Sequence, residues 1–179
     1  MTATSWARLL VACVVAAGKA GAQADACSLL SPAAIRRAMG EEVTNAKASF
    51  QDAGAVHHSQ CFFTLRTFTN SISLTLTQPA KADAHHRAAL DLWQRWFHRD
   101  ADHDADRKQP ESEEEEAAAK AVPVAGIGDE AFWVHSFVGN LYVRKGNQFL
   151  RIRLGGKMTD EARQAKAKQL AADAVRHLR

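Results

Sequence analysis

The residues whose types and spacing could do chemistry lie in two stretches. The first is Asp100-Ala101-Asp102-His103-Asp104-Ala105-Asp106, with Glu111 beyond it. Counted from Asp100, acids fall at positions 1, 3, 5, 7 and 12, the ligand positions of a helix–loop–helix calcium site. Position 6 is Ala105 rather than the glycine such a loop needs for its sharp turn, and Pro110 stands at position 11. The pattern reduces to several oxygens able to gather round a hard cation. His98 and His103 lie beside those acids, so the candidate metal ligands are His98, Asp100, Asp102, His103 and Asp104. The other histidine pairs, His57-His58 ahead of Cys61 and His85-His86 on an expected helix, offer less. Adjacent histidines on a helix point about 100° apart and do not chelate one ion together. No H-E-x-x-H spacing occurs either.

The second stretch runs from Gly126 to Arg153. Gly126-Ile127-Gly128-Asp129 is too short for a dinucleotide fingerprint and leads into a strand, so its glycines serve unusual turn dihedrals and Asp129 caps the turn. Arg144, Lys145, Arg151 and Arg153 are expected as a basic strip on neighbouring strands, read first as a solvated sheet face and second as a contact for an anionic ligand or envelope polymer. A cleft near Asp129, Trp133 and Tyr142, with Arg151 and Arg153 as charged contacts, is where a ligand is expected. The chain has no G-x-S-x-G and no P-loop. Carboxylate pairs occur only in the acidic stretch, where a catalytic geometry is hard to hold. No cofactor is implied. The expectation is a non-catalytic domain that binds an envelope protein or a small molecule. Metal binding through the acidic stretch is the alternative, and an envelope hydrolase comes third.

The ends of the chain place it in the cell envelope. Arg8 precedes an apolar run from Leu9 to Ala17, and small residues follow up to Ala22-Gln23-Ala24, an A-x-A processing pattern. Nine apolar residues are too few to span a membrane, which takes about 20. Residues 1–24 therefore read as a signal peptide cleaved before Asp25, leaving residues 25–179 as one domain in the periplasm or outside the cell. Leu10-Val11-Ala12-Cys13 has the spacing of a lipid-attachment box, but too few apolar residues separate Arg8 from Cys13 for a normal export signal. Membrane attachment follows only if Cys13 is lipidated. Of the formal net charge of +3, two units come from Arg8 and Lys19, which leaves no electrostatic footprint of a nucleic-acid binder. Processing also removes Cys13 from the three cysteines. The remaining pair, Cys27 and Cys61, is most simply a disulfide in an oxidising compartment, because no C-x-x-C spacing supports a redox or metal pair.

These groups must be positioned by elements the pattern announces. Ser31-Pro32 is an N-cap followed by proline at the first helical position, Ala34, Ile35, Ala38 and Met39 make an apolar stripe, and Gly40 stops the helix. Strands are expected over Val43–Phe50, Gln60–Thr67 and Ser71–Thr77. The last alternates Ile72, Leu74 and Leu76 against Ser71, Ser73, Thr75 and Thr77. A helix is expected from Pro79 to about Arg99, with Ala82, Ala89, Leu90, Trp93, Trp96 and Phe97 on one face. Residues 100–121 read as a mobile acidic loop. Three more strands are expected over Ala131–Val138, Leu141–Lys145 and Phe149–Leu154, with turns at Gly139-Asn140 and Gly146-Asn147. Thr159 caps a final helix whose buried face holds Ala167, Leu170, Ala171, Ala174, Val175 and Leu178. The order α-βββ-α-βββ-α predicts an α+β fold, an α/β/α sandwich around a six-stranded, mainly antiparallel sheet.

Two segments carry a resemblance. Cys27-Ser28-Leu29-Leu30-Ser31-Pro32, before a short helix ending in Gly40, resembles a family of uncharacterised bacterial secreted domains best known from actinobacterial lipoproteins. Gly126-Ile127-Gly128-Asp129-Glu130-Ala131-Phe132-Trp133 is similar to that family's other hallmark. The resemblance implies that the second cysteine is Cys61 and that the fold is PsbP-like, an α/β/α sandwich. It implies no catalytic residues. Unlike the lipoprotein members, this chain has no lipid-attachment box before Cys27.

Overall fold

The computed structural model describes residues 23–81, 83, 85–98 and 121–178. The expected signal segment up to Ala22, Cys13 included, lies outside the described residues, as do Ala82 of the expected helical stripe and residues 99–120. The chain enters against the sheet: Gln78 accepts from the Ala24 N–H (3.2 Å) and donates to the Ala24 carbonyl (3.0 Å). Asp25 then caps a 3₁₀ turn over Ala26–Leu29 by accepting from the Cys27 N–H. The Cys27–Cys61 disulfide fastens this turn to the sheet. Helix α1 (Pro32–Met39) starts and stops as its residues demand, with the Ser31 hydroxyl accepting from the Ala34 N–H and Gly40 left-handed at φ 78°.

Among the described residues seven strands form one antiparallel sheet: β1 (Val43–Ala53), β2 (Val56–Leu65), β3 (Ile72–Pro79), β4 (Val122–Pro123), β5 (Glu130–Val134), β6 (Asn140–Lys145) and β7 (Gln148–Leu154). Their spatial order is β1-β2-β3-β7-β6-β5-β4. Two meanders are thus joined where β3 pairs with β7. The seventh strand, absent from the expected six, is β4; two residues are too few to show any periodicity. Helices α2 (Ala88–Phe97) and α3 (Asp160–Val175) complete the fold.

Four boundaries differ most from the expectation. His57 and His58 lie within β2 rather than in a loop, because the turn is made two residues earlier by Gly54-Ala55, with Gly54 at φ 60° and Ala53 facing Val56. Pro79 closes β3 opposite Val56 instead of opening a helix. Helix α2 starts nine residues later, at Ala88, whose N–H donates to the Asp83 carboxylate (2.8 Å); His85 and His86 therefore precede the helix. Strand β5 ends at Val134, before the Phe137 and Val138 expected in it. There Gly139, at φ 63°, lies so close to the Trp133 ring that a Cβ would stand 2.3 Å from it, and the chain turns with Phe137 fully exposed.

Alternation along the strands builds two faces. On the first, Cys61, Leu74, Leu76, Leu150 and Ile152 pack under Ile35 and Ala38 of α1 and under Ala167, Leu170, Ala171 and Ala174 of α3. Arg163, a buried charge hidden in the alanine-rich pattern of α3, donates to the carbonyls of Leu154 (2.8 Å), Gly156 (3.2 Å) and Met158 (3.4 Å), closing the β7–α3 connection. On the second face α2 lays Ala89 and Trp93 over Phe149, Tyr142 and Val134. Among the described residues the α/β/α layering thus holds where α2 lies, over β3, β7, β6 and β5. Strand β1 is exposed over nearly its whole length, and Lys47 at its middle discourages pairing at this open edge.

The disulfide closes a 34-residue separation. On the loop-entropy account it contributes about 3–4 kcal/mol. Urea unfolding of the Cys27→Ser/Cys61→Ser protein should show a loss of that size relative to the oxidised protein.

Candidate functional site

The half-covered second face places a row of side chains in register. Ser49 faces Gln60, Gln60 faces Thr75, Thr75 faces Arg151, Arg151 faces Tyr142 and Tyr142 faces Phe132. Cross-strand partners share a face, so the row runs from polar groups over β1, β2 and β3 to aromatic ones under α2. The adjoining row sets Gln51, His58, Thr77 and Phe149 across the same strands. Within these rows His58 Nδ1 lies 3.0 Å from the Thr77 hydroxyl, and the Gln60 amide donates to Ser73 (2.9 Å).

Where α2 ends, the rows are left open as a hollow of about 340 Å³ lined by Ser49, Phe50, Gln51, His58, Gln60, Thr75 and Arg151. A smaller notch of about 40 Å³ continues from it beneath Trp96, Tyr142 and Phe149, sharing His58, Thr75 and Arg151. Thr75 sits at the junction. It is 8% exposed, and its hydroxyl has no hydrogen-bond partner. Burying such a group unpaired costs about 1–3 kcal/mol. No carboxylate lines either space among the described residues.

The aromatic wall is held by an ion-pair network behind it. Trp93 donates from its indole to Glu130 (2.6 Å). The other oxygen of Glu130 pairs with His98 (2.8 Å) at the end of α2, and Arg144 approaches the Trp93-bonded oxygen at 3.6 Å. Burial alone would raise the Glu130 carboxyl, but the hydrogen bonds from His98 and Trp93 outweigh it and hold the group below its ordinary value. Phe97 stacks on Phe132 at 4.6 Å, and Trp96 meets Tyr142 edge-on at 6.0 Å.

The five expected ligand contacts do not converge on one cleft. Tyr142 and Arg151 are cross-strand neighbours and both line the notch. Trp133 is 1% exposed on the opposite face, because Trp133 faces Leu141 whereas Phe132 faces Tyr142; its indole donates to Asp160 of α3 (3.3 Å). Asp129 staples the β6–β7 turn, accepting from the Gly146 N–H (2.7 Å) and from Lys145 and Arg144 (3.3 and 3.4 Å). The basic strip is therefore divided: Arg144 and Lys145 are engaged by Asp129, Arg153 donates to Asn140 (2.9 Å), and Arg151 lines the hollow. His98 pairs with Glu130, while Asp100, Asp102, His103 and Asp104 lie outside the described residues. Among the described residues no group of three metal-ligating side chains comes together. The sequence reading missed His58, Gln60 and Thr75. The signal available was three polar residues at alternate positions of β3, which reads as a solvated face until Arg151 is placed beside it. No family model, curated protein or solved structure matches the chain.

Two consequences can be measured. Thr75→Val removes the unpaired hydroxyl and keeps the shape, so it should raise the urea midpoint by the equivalent of about 1 kcal/mol; an unchanged or lowered midpoint would show that the hydroxyl has a partner. The Asp129 carboxyl is held below its ordinary 3.8, chiefly by the Gly146 N–H and against a smaller opposing effect of burial. A depressed folded-state value means that the stabilisation is complete above the unfolded value and is lost as pH falls through the folded one. Asp129→Asn should therefore flatten the acid limb of the stability curve below about pH 4.

Proposed function

We propose that this chain is an exported, non-catalytic binding domain of the cell envelope, periplasmic or secreted, and that its ligand or partner occupies the hollow on the second sheet face. The observation that carries this reading is Thr75, a buried hydroxyl without a partner at the point where Gln60, His58 and Arg151 converge. A folded protein gains nothing in stability from such a group, whereas a bound polar molecule would satisfy it. The volume of about 340 Å³ lies at the lower end of the range of small-molecule sites, about 300–1,000 Å³. Export is supported by the Cys27–Cys61 disulfide, since such bonds persist in oxidising compartments, and by the signal-like N-terminal sequence. No helix among the described residues is long and apolar enough to cross a membrane. A binding role rather than a catalytic one is supported by the lining itself. His58 is the one imidazole among the described lining residues, and its Nδ1 lies within hydrogen-bond reach of the Thr77 hydroxyl. The resemblance to secreted bacterial domains points the same way.

The test is a fragment screen on the oxidised, isotope-labelled protein. Binders should shift the backbone amides of Gln60, Thr75 and Arg151. Binding that consistently maps to another surface would sink the site. Turnover of ester, phosphate or glycoside substrates that His58→Ala abolishes would sink the non-catalytic part.

A further inference from the structure

The chain enters the fold through a short stretch fastened to β2 and β3 at successive points. The Gln78 amide, in a residue only 7% exposed, spends both ends on Ala24. Its oxygen accepts from the Ala24 N–H at 3.2 Å, and its nitrogen donates to the Ala24 carbonyl at 3.0 Å. Two residues on, the Ala26 N–H donates to the buried Ser59 hydroxyl at 2.8 Å, and Cys27 is bonded to Cys61. Gln78 faces His57, so the fastenings fall beside His57, Ser59 and Cys61, alternate positions of β2. Ala24 itself is half-buried and packs against the core of the first face. A buried amide needs its partners, and leaving it without them costs more than the bonds contribute. Removal of Ala24 would strip Gln78 of both bonds at once.

The sequence offers two processing sites of the same form. Ala22-Gln23-Ala24 would release a chain starting at Asp25, whereas Ala20-Gly21-Ala22 would release one starting at Gln23. Only the second keeps Ala24, and the carbonyl cut in the first is the one that Gln78 holds. Resting on the export reading, we propose that a signal peptidase cuts this precursor after Ala22 and that Ala24 stays in the mature chain as the residue Gln78 clasps. Water adds across the Ala22–Gln23 peptide bond, leaving a carboxylate on Ala22 and an amine on Gln23. The burial and hydrogen bonding of the affected backbone decide how far a chain end can be trimmed. By that measure the domain begins before Ala24.

The test is to express the full precursor in a bacterial host that exports it, and to measure the intact mass and the first peptide of the exported protein. The expected species is residues 23–179, with or without the ammonia lost when the Gln23 amine closes on its own side-chain amide. Ala24→Phe spoils the downstream site alone and should leave that start unchanged; Ala20→Phe spoils the upstream site alone and should abolish it. Any other start in the unsubstituted protein, Asp25 included, would overturn the inference and leave export intact. A precursor that stays uncut would sink both. The clasp has its own readout in urea unfolding of the oxidised protein. Gln78→Leu in the chain starting at Gln23 should lower the folding equilibrium constant about tenfold. In a chain starting at Asp25 the same substitution should leave that constant unchanged or raise it, because Gln78 has already lost Ala24. An equal loss in both chains would deny Ala24 a structural role and remove the basis of the inference.

Discussion

The pairing of β3 with β7 is the constraint on which the rest of the molecule depends. It joins the β1-β2-β3 and β4-β5-β6-β7 meanders, each of which is local in sequence, into one sheet. Its register sets Leu74 against Ile152 and Leu76 against Leu150 on the first face, where α1 and α3 cover them, and sets Thr75 against Arg151 on the second. The two faces are coupled because side chains alternate. A slip by one residue would send the leucines into the hollow and the arginine into the core. The apolar side thus locks the polar side in place, so the candidate site has the rigidity of the core beneath it.

Coverage of the second face is limited by the length of α2. Ten residues make a helix of about 15 Å, whereas seven strands spaced at about 4.8 Å span roughly 30 Å. The helix is anchored over the β7-β6-β5 side by Trp93 and His98 on Glu130 and by Phe97 stacked on Phe132. On this face β1, β2 and β3 carry the polar Ser49, Gln51, His58, Gln60, Thr75 and Thr77. Thr75 falls at the border between the two regimes, deep enough to be dry but without a partner. Satisfied groups such as Arg163, with three carbonyls to bond, show what the same fold does with a buried polar residue that serves structure alone.

Much of the fold was legible residue by residue. Ser31-Pro32 and Gly40 delimited α1, Thr159 opened α3, Gly146-Asn147 made the β6–β7 turn, and the alternation in Ser71–Thr77 placed Ile72, Leu74 and Leu76 in the core. Other elements were read only in part. Strand β1 was expected over Val43–Phe50 and runs on to Ala53; it is exposed on both sides and has no apolar period to mark its end. The start of α2 depends on the Asp83 carboxylate reaching the Ala88 N–H, and Pro79, equally suited to begin a helix or to end a strand, gave the wrong cue. Of the residues that line the candidate site, the sequence had singled out Tyr142 and Arg151.

What the sequence alone determined are the properties that depend on neighbours a few residues away: caps, turns, the parity of each strand and the matched pair of cysteines that became the Cys27–Cys61 bond. What only the tertiary structure decided are relations between distant segments: that Thr75 meets Arg151, that Trp133 and Tyr142 face opposite layers, and that Asp129 and Glu130 engage the other cations. The physical reason is that a strand's own alternation says which residues share a face, but not which partner strand or which register lies alongside. Those are set by bringing together positions 72 to 82 residues apart, from Thr77 with Phe149 to Ile72 with Leu154, and by the packing of the whole core on that seam.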